Sequence, residues 1–210
     1  MTILFFGDSI TWGAWDEEGG WVARIKKHVD AKTIASSFDY YQDIYNLGIS
    51  GDKTDDILER FEGETKSRID EEQESAIVFA IGVNDSQHID NQGHRVPINQ
   101  FENNLKSLIE KARKFSNKIV FVGLFPVDDS KLDPTPWDDN KCYKNEYVEK
   151  YNEIIKKGCN SCQVDFIDLY GKFIDKHYKD LLLDGLHPNT EGHKQIAEVV
   201  LEVLQGKNIV

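Results

Sequence analysis

Five short, β-rich apolar runs separated by stretches with helical spacing dominate this chain and leave few folds open to it. The runs are Ile3–Phe6, Tyr41–Asn46, Ala76–Ile81, Ile119–Phe125 and Val164–Leu169. The first, third and fourth are almost continuously apolar, as strands covered on both faces of a parallel sheet must be. Between them, Trp21–Val29, Thr54–Phe61, Phe101–Phe115, Tyr147–Ile155 and Ile196–Leu204 repeat apolar residues about every 3.6 positions, which predicts amphipathic helices. Strands alternating with helices close into right-handed βαβ crossovers, with helices on both faces of the sheet. The expected fold is therefore α/β, a three-layer α/β/α sandwich, with no repeat or linker dividing residues 1–210 into more than a single domain. Two polar stretches, Ser86–Val96 and Val127–Lys141, both follow strands and so emerge at the carboxyl edge of the sheet, where open α/β sheets bind ligands.

Charge and cysteine usage narrow the function classes. With 25 Lys and Arg against 37 Asp and Glu, the formal net charge of −12 disfavours nucleic acid or an anionic membrane surface as a partner. Hydrophobic residues at 40% are too many for a disordered chain. The apolar run at the amino terminus is four residues long, Ile3 to Phe6, against the ~7–15 of a secretory signal and the ~18 of a membrane span. A cytoplasmic protein is the expectation. The three cysteines, Cys142, Cys159 and Cys162, are too few for a disulfide framework and suit a reducing compartment. Cys159 and Cys162 form a lone CxxC without the further ligands a zinc site requires, so they read as ordinary thiols and no metal is expected.

The first strand runs out into Gly7-Asp8-Ser9-Ile10-Thr11-Trp12-Gly13, which alone is an ordinary turn composition. Three further segments change its meaning: Ser50-Gly51-Asp52 after the second strand, Gly82-Val83-Asn84-Asp85 after the third, and Asp184-Gly185-Leu186-His187-Pro188 before the last helix. A serine hydroxyl is a poor nucleophile until a base takes its proton, and His187 is a side chain suited to that task. Asp184, three residues earlier, can fold back within one turn to accept the Nδ1 proton. The N–H groups of Ser9 and Gly51 and the side-chain amide of Asn84 are the right kind of donor for an oxyanion. The G-x-S-x-G elbow fails because position 11 is Thr, and no P-loop or dinucleotide fingerprint is present.

In order and in register with the strands, these four segments resemble the sequence blocks of the SGNH (GDSL-type) hydrolase superfamily, with Ile10 where the family name has Leu. Thr11-Trp12-Gly13 is similar to the arylesterase-like branch. The resemblance implies a flavodoxin-like sandwich whose five parallel strands are ordered 2-1-3-4-5, and ester hydrolysis without a cofactor. It implies Ser9 as nucleophile and oxyanion donor, Gly51 and Asn84 as the other donors, His187 as base and Asp184 as its partner. The implied substrate is a small-molecule ester, with short-chain esters or acetylated carbohydrates preferred. An acyl-thioesterase or lysophospholipase-type hydrolase, a non-catalytic binding module on the same fold, and a flavodoxin-like electron carrier are the alternatives.

Substrate contacts are expected from Trp12, Trp137 and His88, the first after the nucleophile, where Trp15 also lies, and the others in the two carboxyl-edge loops. Trp137 lies among Asp128, Asp129, Asp133, Asp138 and Asp139, and aromatic faces beside acidic acceptors suit a sugar. His94 shares the loop of His88. His28, His177 and His193 are expected at the surface.

Overall fold

The computed structural model describes residues 1–70 and 72–210. Its strands are β1 (Thr2–Gly7), β2 (Asp43–Gly48), β3 (Ser75–Ala80), β4 (His88–Ile89), β5 (Gly93–His94), β6 (Lys118–Val122), β7 (Lys141–Cys142) and β8 (Asp165–Ile167). Its helices are α1 (Ser9–Trp12), α2 (Gly20–Ala35), α3 (Thr54–Lys66), α4 (Val83–Ser86), α5 (Ile98–Ala112), α6 (Asp129–Leu132), α7 (Asn145–Cys162), α8 (Leu169–Phe173) and α9 (Thr190–Gly206), with one 3₁₀ turn at Tyr178–Leu181.

Among the described residues, five strands form one parallel sheet in the order β2-β1-β3-β6-β8. Counted along the chain these are the second, first, third, fourth and fifth core strands, so the expected 2-1-3-4-5 order is observed. Alternate residues of a strand face opposite sides of the sheet, and each inner strand splits its apolar residues accordingly. Leu4, Phe6, Ile77, Phe79, Ile119 and Phe121 face α3, α5 and α7 through Ile57, Phe61, Phe101, Leu105 and Tyr151. Ile3, Phe5, Ala76, Val78, Val120 and Val122 face α2 and α9 through Trp21, Val22, Ile25, Ile196 and Val200. Two cores on one sheet make the three layers.

Two predicted strands end early, for identifiable reasons. Beyond Gly123 the backbone turns to a side chain for its partner, with Leu124 N–H donating to Asn152 Oδ1 at 2.9 Å. The last strand stops at Ile167 because Asp168 caps α8, accepting from Gly171 N–H at 2.9 Å. The polar stretches at the carboxyl edge are not plain loops. They carry a small antiparallel sheet in the order β5-β4-β7, in which His88 pairs with His94 on one side and Cys142 on the other.

His193 corrects an expectation. It is fully buried on the inner face of α9, and among the described residues neither ring nitrogen has a hydrogen-bond partner. Burial lowers its pKa to about 4, so it is held as the neutral imidazole. His177 is exposed and His28 partly so. The three cysteines are free thiols. Burial pushes the Cys159 thiol up to about 12, well away from a reactive thiolate. Among the described residues, no helix is long and apolar enough to cross a membrane, and no cluster of three or more His, Cys, Asp or Glu is placed to hold a metal ion.

Candidate active site

Four separate chain turns meet above the carboxyl ends of β1, β2 and β3. At the first, β1 ends in Gly7, where any side chain would collide with the Ala80 carbonyl at 2.5 Å and with Thr11. The bare backbone lets the chain turn at once into α1. Asp8 caps that helix, its Oδ1 accepting from Ile10 N–H at 2.9 Å, and is itself buried. Burial pushes the Asp8 carboxyl up to about 7, against the pull of the Ile10 hydrogen bond and of His187. Ser9 is therefore the first residue of a helix, where its backbone N–H has no acceptor within the helix.

The fourth turn brings the imidazole to the serine. Asp184 Oδ1 accepts the backbone N–H groups of Leu186 and His187 at 2.9 and 2.8 Å, which closes a tight turn. Its other oxygen, Oδ2, lies 2.7 Å from His187 Nδ1. His187 Nε2 lies 3.0 Å from Ser9 Oγ. Burial pushes Asp184 up, but the hydrogen bonds from the His187 ring and backbone outweigh it and hold the carboxyl at about 2. An ionised Asp184 accepts the Nδ1 proton, which leaves Nε2 as the lone-pair nitrogen facing the hydroxyl.

The second and third turns supply N–H groups. Gly51 adopts a left-handed φ of +85°, and nothing lies within 4 Å of where its side chain would begin, so the backbone is open to a ligand. Asn84, on α4, is buried, and its Nδ2 donates to the Asp52 carbonyl at 3.0 Å. Its Oδ1 accepts from the Tyr143 hydroxyl at 2.9 Å. Burial raises the Tyr143 pKa, so the phenol stays protonated and acts as the donor. That fixes the amide with its nitrogen away from Tyr143 and one N–H spare. The neighbouring Asp85 anchors the turn from beneath, accepting from the backbone and hydroxyl of Thr54.

Ser9, Gly51, Asn84 and His187 line one cleft of about 270 Å³, together with Trp15, Ser50, Gln87, Arg95, Trp137, Lys141, Tyr143 and Leu186. All five residues expected to act on the ester, Asp184 included, are thus brought together. Of the three expected substrate contacts, Trp137 lines the cleft, whereas Trp12 and His88 do not. Trp12 is exposed, with its ring 6.5 Å from that of Trp15, and Trp15 is the one beside the imidazole, ring centroids 6.2 Å apart. His88 instead packs with His94 and Tyr147, ring centroids 5.6 and 5.8 Å apart. The residue before it, Gln87, lines the cleft.

Chemically, the arrangement can take a proton from Ser9 and offer N–H donors to the charge that develops on an attacked carbonyl. A profile of the GDSL-like lipase/acylhydrolase family matches residues 5–195. The chain belongs to that family. Among relatives, it is 24% identical over 206 residues to Esterase TesA of Pseudomonas aeruginosa, covering 98% of this chain and 88% of that one. It is 29% identical over 239 residues to Multidomain esterase of Ruminococcus flavefaciens, covering 98% of this chain and 28% of the relative. The chain thus spans well under half the length of that relative, and 45% of the length of a GDSL esterase/lipase of Arabidopsis thaliana. Among solved structures, the acetyl xylan esterase AlAXEase superposes with a TM-score of 0.76 at 23% identity, covering 97% of this chain and 100% of that one. At that identity the likeness is one of fold. The SGNH-type α/β architecture expected for this member of the family is the one observed.

Proposed function

We propose that this GDSL-family chain is a serine esterase that hydrolyses small carboxylic esters through an acyl-enzyme. The observation that carries the reading is the continuous path from Asp184 through His187 to Ser9 Oγ, at 2.7 and 3.0 Å, opening on a cleft with several N–H donors. Ser9 Oγ attacks the ester carbonyl as His187 Nε2 takes its proton. The tetrahedral oxyanion is met by the N–H groups of Ser9 and Gly51 and by the spare N–H of Asn84. His187 then gives the proton to the departing alcohol, leaving an ester on Ser9. Water, losing its proton to His187, attacks that ester, and the acid and the free hydroxyl of Ser9 are released.

Short acyl groups, acetyl above all, fit best. The cleft of about 270 Å³ falls below the roughly 300–1,000 Å³ that encloses drug-sized ligands. Most of its lining residues are polar, which gives a long acyl chain little to bury against. Trp15 and Trp137 add aromatic faces of the kind that pack on a sugar ring, and an acetylated saccharide is the preferred substrate class. The solved acetyl xylan esterase of the same fold supports that choice.

Hydrolysis of p-nitrophenyl acetate and butyrate, measured for the wild type and Ser9→Ala, tests the reading. Release of nitrophenol by the wild type that is abolished in the variant supports it. Absence of turnover on both esters and on acetylated oligosaccharides, or turnover that survives Ser9→Ala, overturns it and favours a binding module. Preference for acyl-CoA or for lysophospholipid over acetyl esters moves the substrate to the thioesterase or lysophospholipase class.

A further inference from the structure

Of the arginines, Arg24, Arg60 and Arg68 each sit on a carboxylate, respectively Asp16, Asp52 with Glu64, and Glu64. Arg113 is given to a backbone carbonyl, that of Cys162. Arg95 is different. It lines the cleft that holds Ser9 and His187, it is half-buried, and among the described residues no carboxylate lies within ion-pair distance of it. Its hydrogen bonds go to neutral groups at the limit of bonding range, Gln87 Oε1 at 3.5 Å and the Gly51 carbonyl at 3.4 Å, and the guanidinium also faces the neutral Tyr143 hydroxyl.

That is an unusual condition for a guanidinium in a chain of net charge −12. A partly desolvated cation without a counter-ion is unfavourable, and acidic side chains are plentiful here. Those on the flanking elements are in contact with other cations: Asp52 with Arg60, Asp138 with Lys141 at 2.8 Å, and Asp56 with Lys53 at 2.6 Å, Asp56 feeling Arg95 only through space. The pairing of Asp138 also removes the charge of Lys141, the other cation of the cleft, from competition.

Arg95 is held in place by the small sheet rather than by a salt bridge. Its backbone N–H donates to the Gln87 carbonyl at 2.9 Å, continuing the β4–β5 pairing, and His94 Nδ1 lies 2.9 Å from the Ser86 carbonyl just behind it. The stem is thus fixed while the guanidinium reaches Gly51, one of the proposed oxyanion donors. Its planar fork of N–H groups matches a carboxylate better than any neutral group can.

We infer that Arg95 reads a carboxylate on the substrate, so that the preferred ester carries a negative charge close to the scissile bond. The inference rests on the esterase reading of the same cleft and names its substrate class more narrowly: a half-ester of a dicarboxylic acid, with the charge on the acyl side, or an O-acetyl group on an acidic alcohol such as a uronate, with the charge on the leaving side. Both present the same group to Arg95.

Two matched pairs of esters test it and separate the sources. 4-Acetoxybenzoate against methyl 4-acetoxybenzoate places the charge on the leaving group. p-Nitrophenyl hydrogen adipate against p-nitrophenyl methyl adipate places it on the acyl group. In at least one pair the wild type is expected to favour the anionic member by about ten- to 100-fold in kcat/KM, the worth of a charge-assisted hydrogen bond. That ratio should fall to near unity in Arg95→Gln and Arg95→Met and recover in part in Arg95→Lys. A merely structural role would lower both members of a pair together and leave the ratio where it was. A wild type indifferent to charge in both pairs, or a ratio that survives Arg95→Gln, overturns the inference. Calorimetric titration of Ser9→Ala with 4-acetoxybenzoate and its methyl ester reads recognition apart from hydrolysis. The same titration is made with p-nitrophenyl hydrogen adipate and its methyl ester. Selective binding of the carboxylate in either pair that is lost when Arg95→Gln is added supports the inference even if the esterase reading fails, and equal or absent binding within both pairs overturns it.

Discussion

The Tyr143 hydroxyl donates to Asn84 Oδ1 at 2.9 Å, and this contact decides which end of the Asn84 amide is offered to the cleft. With the oxygen engaged by Tyr143 and one N–H by the Asp52 carbonyl, the remaining N–H has only the cleft to point into. Tyr143 therefore acts on the reaction through Asn84, as a positioning residue. Tyr143→Phe removes one neutral hydrogen bond and is expected to lower kcat by about two- to tenfold with little change in KM. Asn84→Ala removes the donor itself and is expected to lower kcat by about 100- to 1,000-fold. The double variant should be no worse than Asn84→Ala alone. A Tyr143→Phe loss that adds in full to the Asn84→Ala loss would show that the two act independently.

Asp184 supports the site in two ways at once, through its contact with the imidazole and through the backbone N–H groups it gathers. Asp184→Asn keeps the shape but offers an N–H or a neutral oxygen to Nδ1, which favours the wrong tautomer. A loss in kcat approaching ~10⁴-fold is the expected outcome, as for the aspartate of a serine-protease triad. The carboxyl is also held at about 2, below its unfolded value of 3.8, so its stabilising effect is complete above pH 3.8 and disappears as the pH falls toward 2. Acid unfolding followed by circular dichroism should show a shallower decline through that window in Asp184→Asn than in the wild type.

Much of this was legible in the sequence, and the parts that were not share a cause. The strands could be read because each inner one alternates between two apolar cores, and the site because its four segments follow strands or enter a helix at the same edge. Gln87 and Arg95 carry no such signal, because the strands they flank, β4 and β5, are two residues each, too short for a period to appear. Without a period, nothing in the sequence separates His88 from its neighbour Gln87, which lines the cleft. Tyr143 could not be found because its contact with Asn84 joins chain segments 59 residues apart. His193 was different, for the signal was present. Ile196, Ala197 and Val200 follow it at three, four and seven positions, the spacing of one buried helical face. On a helix the phase of a residue, not its polarity, decides which face it takes.

Trp137 stands exposed at the cleft while Trp12, equally exposed, lies outside it. An aromatic face at the cleft can pack against a bound ring, a contribution of about 1 kcal/mol. Trp137→Ala is expected to raise KM for an acetylated oligosaccharide about three- to tenfold. The effect on p-nitrophenyl acetate, which has no sugar ring, should be smaller. Trp12→Ala serves as the control, and equal effects of the two variants on the oligosaccharide would remove Trp137 from the substrate path.

The buried, unpartnered His193 makes stability depend on pH in a direction that can be worked out. Its pKa is lowered by burial to about 4 in the folded protein, against 6.5 when the chain is open. Between those values the unfolded chain binds a proton that the folded one refuses, so stability falls as the pH is lowered from 6.5 toward 4, by on the order of 3 kcal/mol for this group. Two buried carboxyls act the other way. Burial raises Asp8 to about 7 and Asp85 to about 6, so in the folded state they hold protons that the unfolded chain has released, and acid favours them. The three effects overlap and partly cancel, which is why single variants are more telling than the wild-type profile. In His193→Leu the opposing histidine is gone, and the melting temperature at about pH 5 should rise relative to that at about pH 7.5. Asp8→Asn removes a proton-holding carboxyl instead and should shift that difference in the opposite sense. If His193→Leu leaves the difference between the two melting temperatures as it is in the wild type, the imidazole is not held neutral by burial, and its ring nitrogens have a partner.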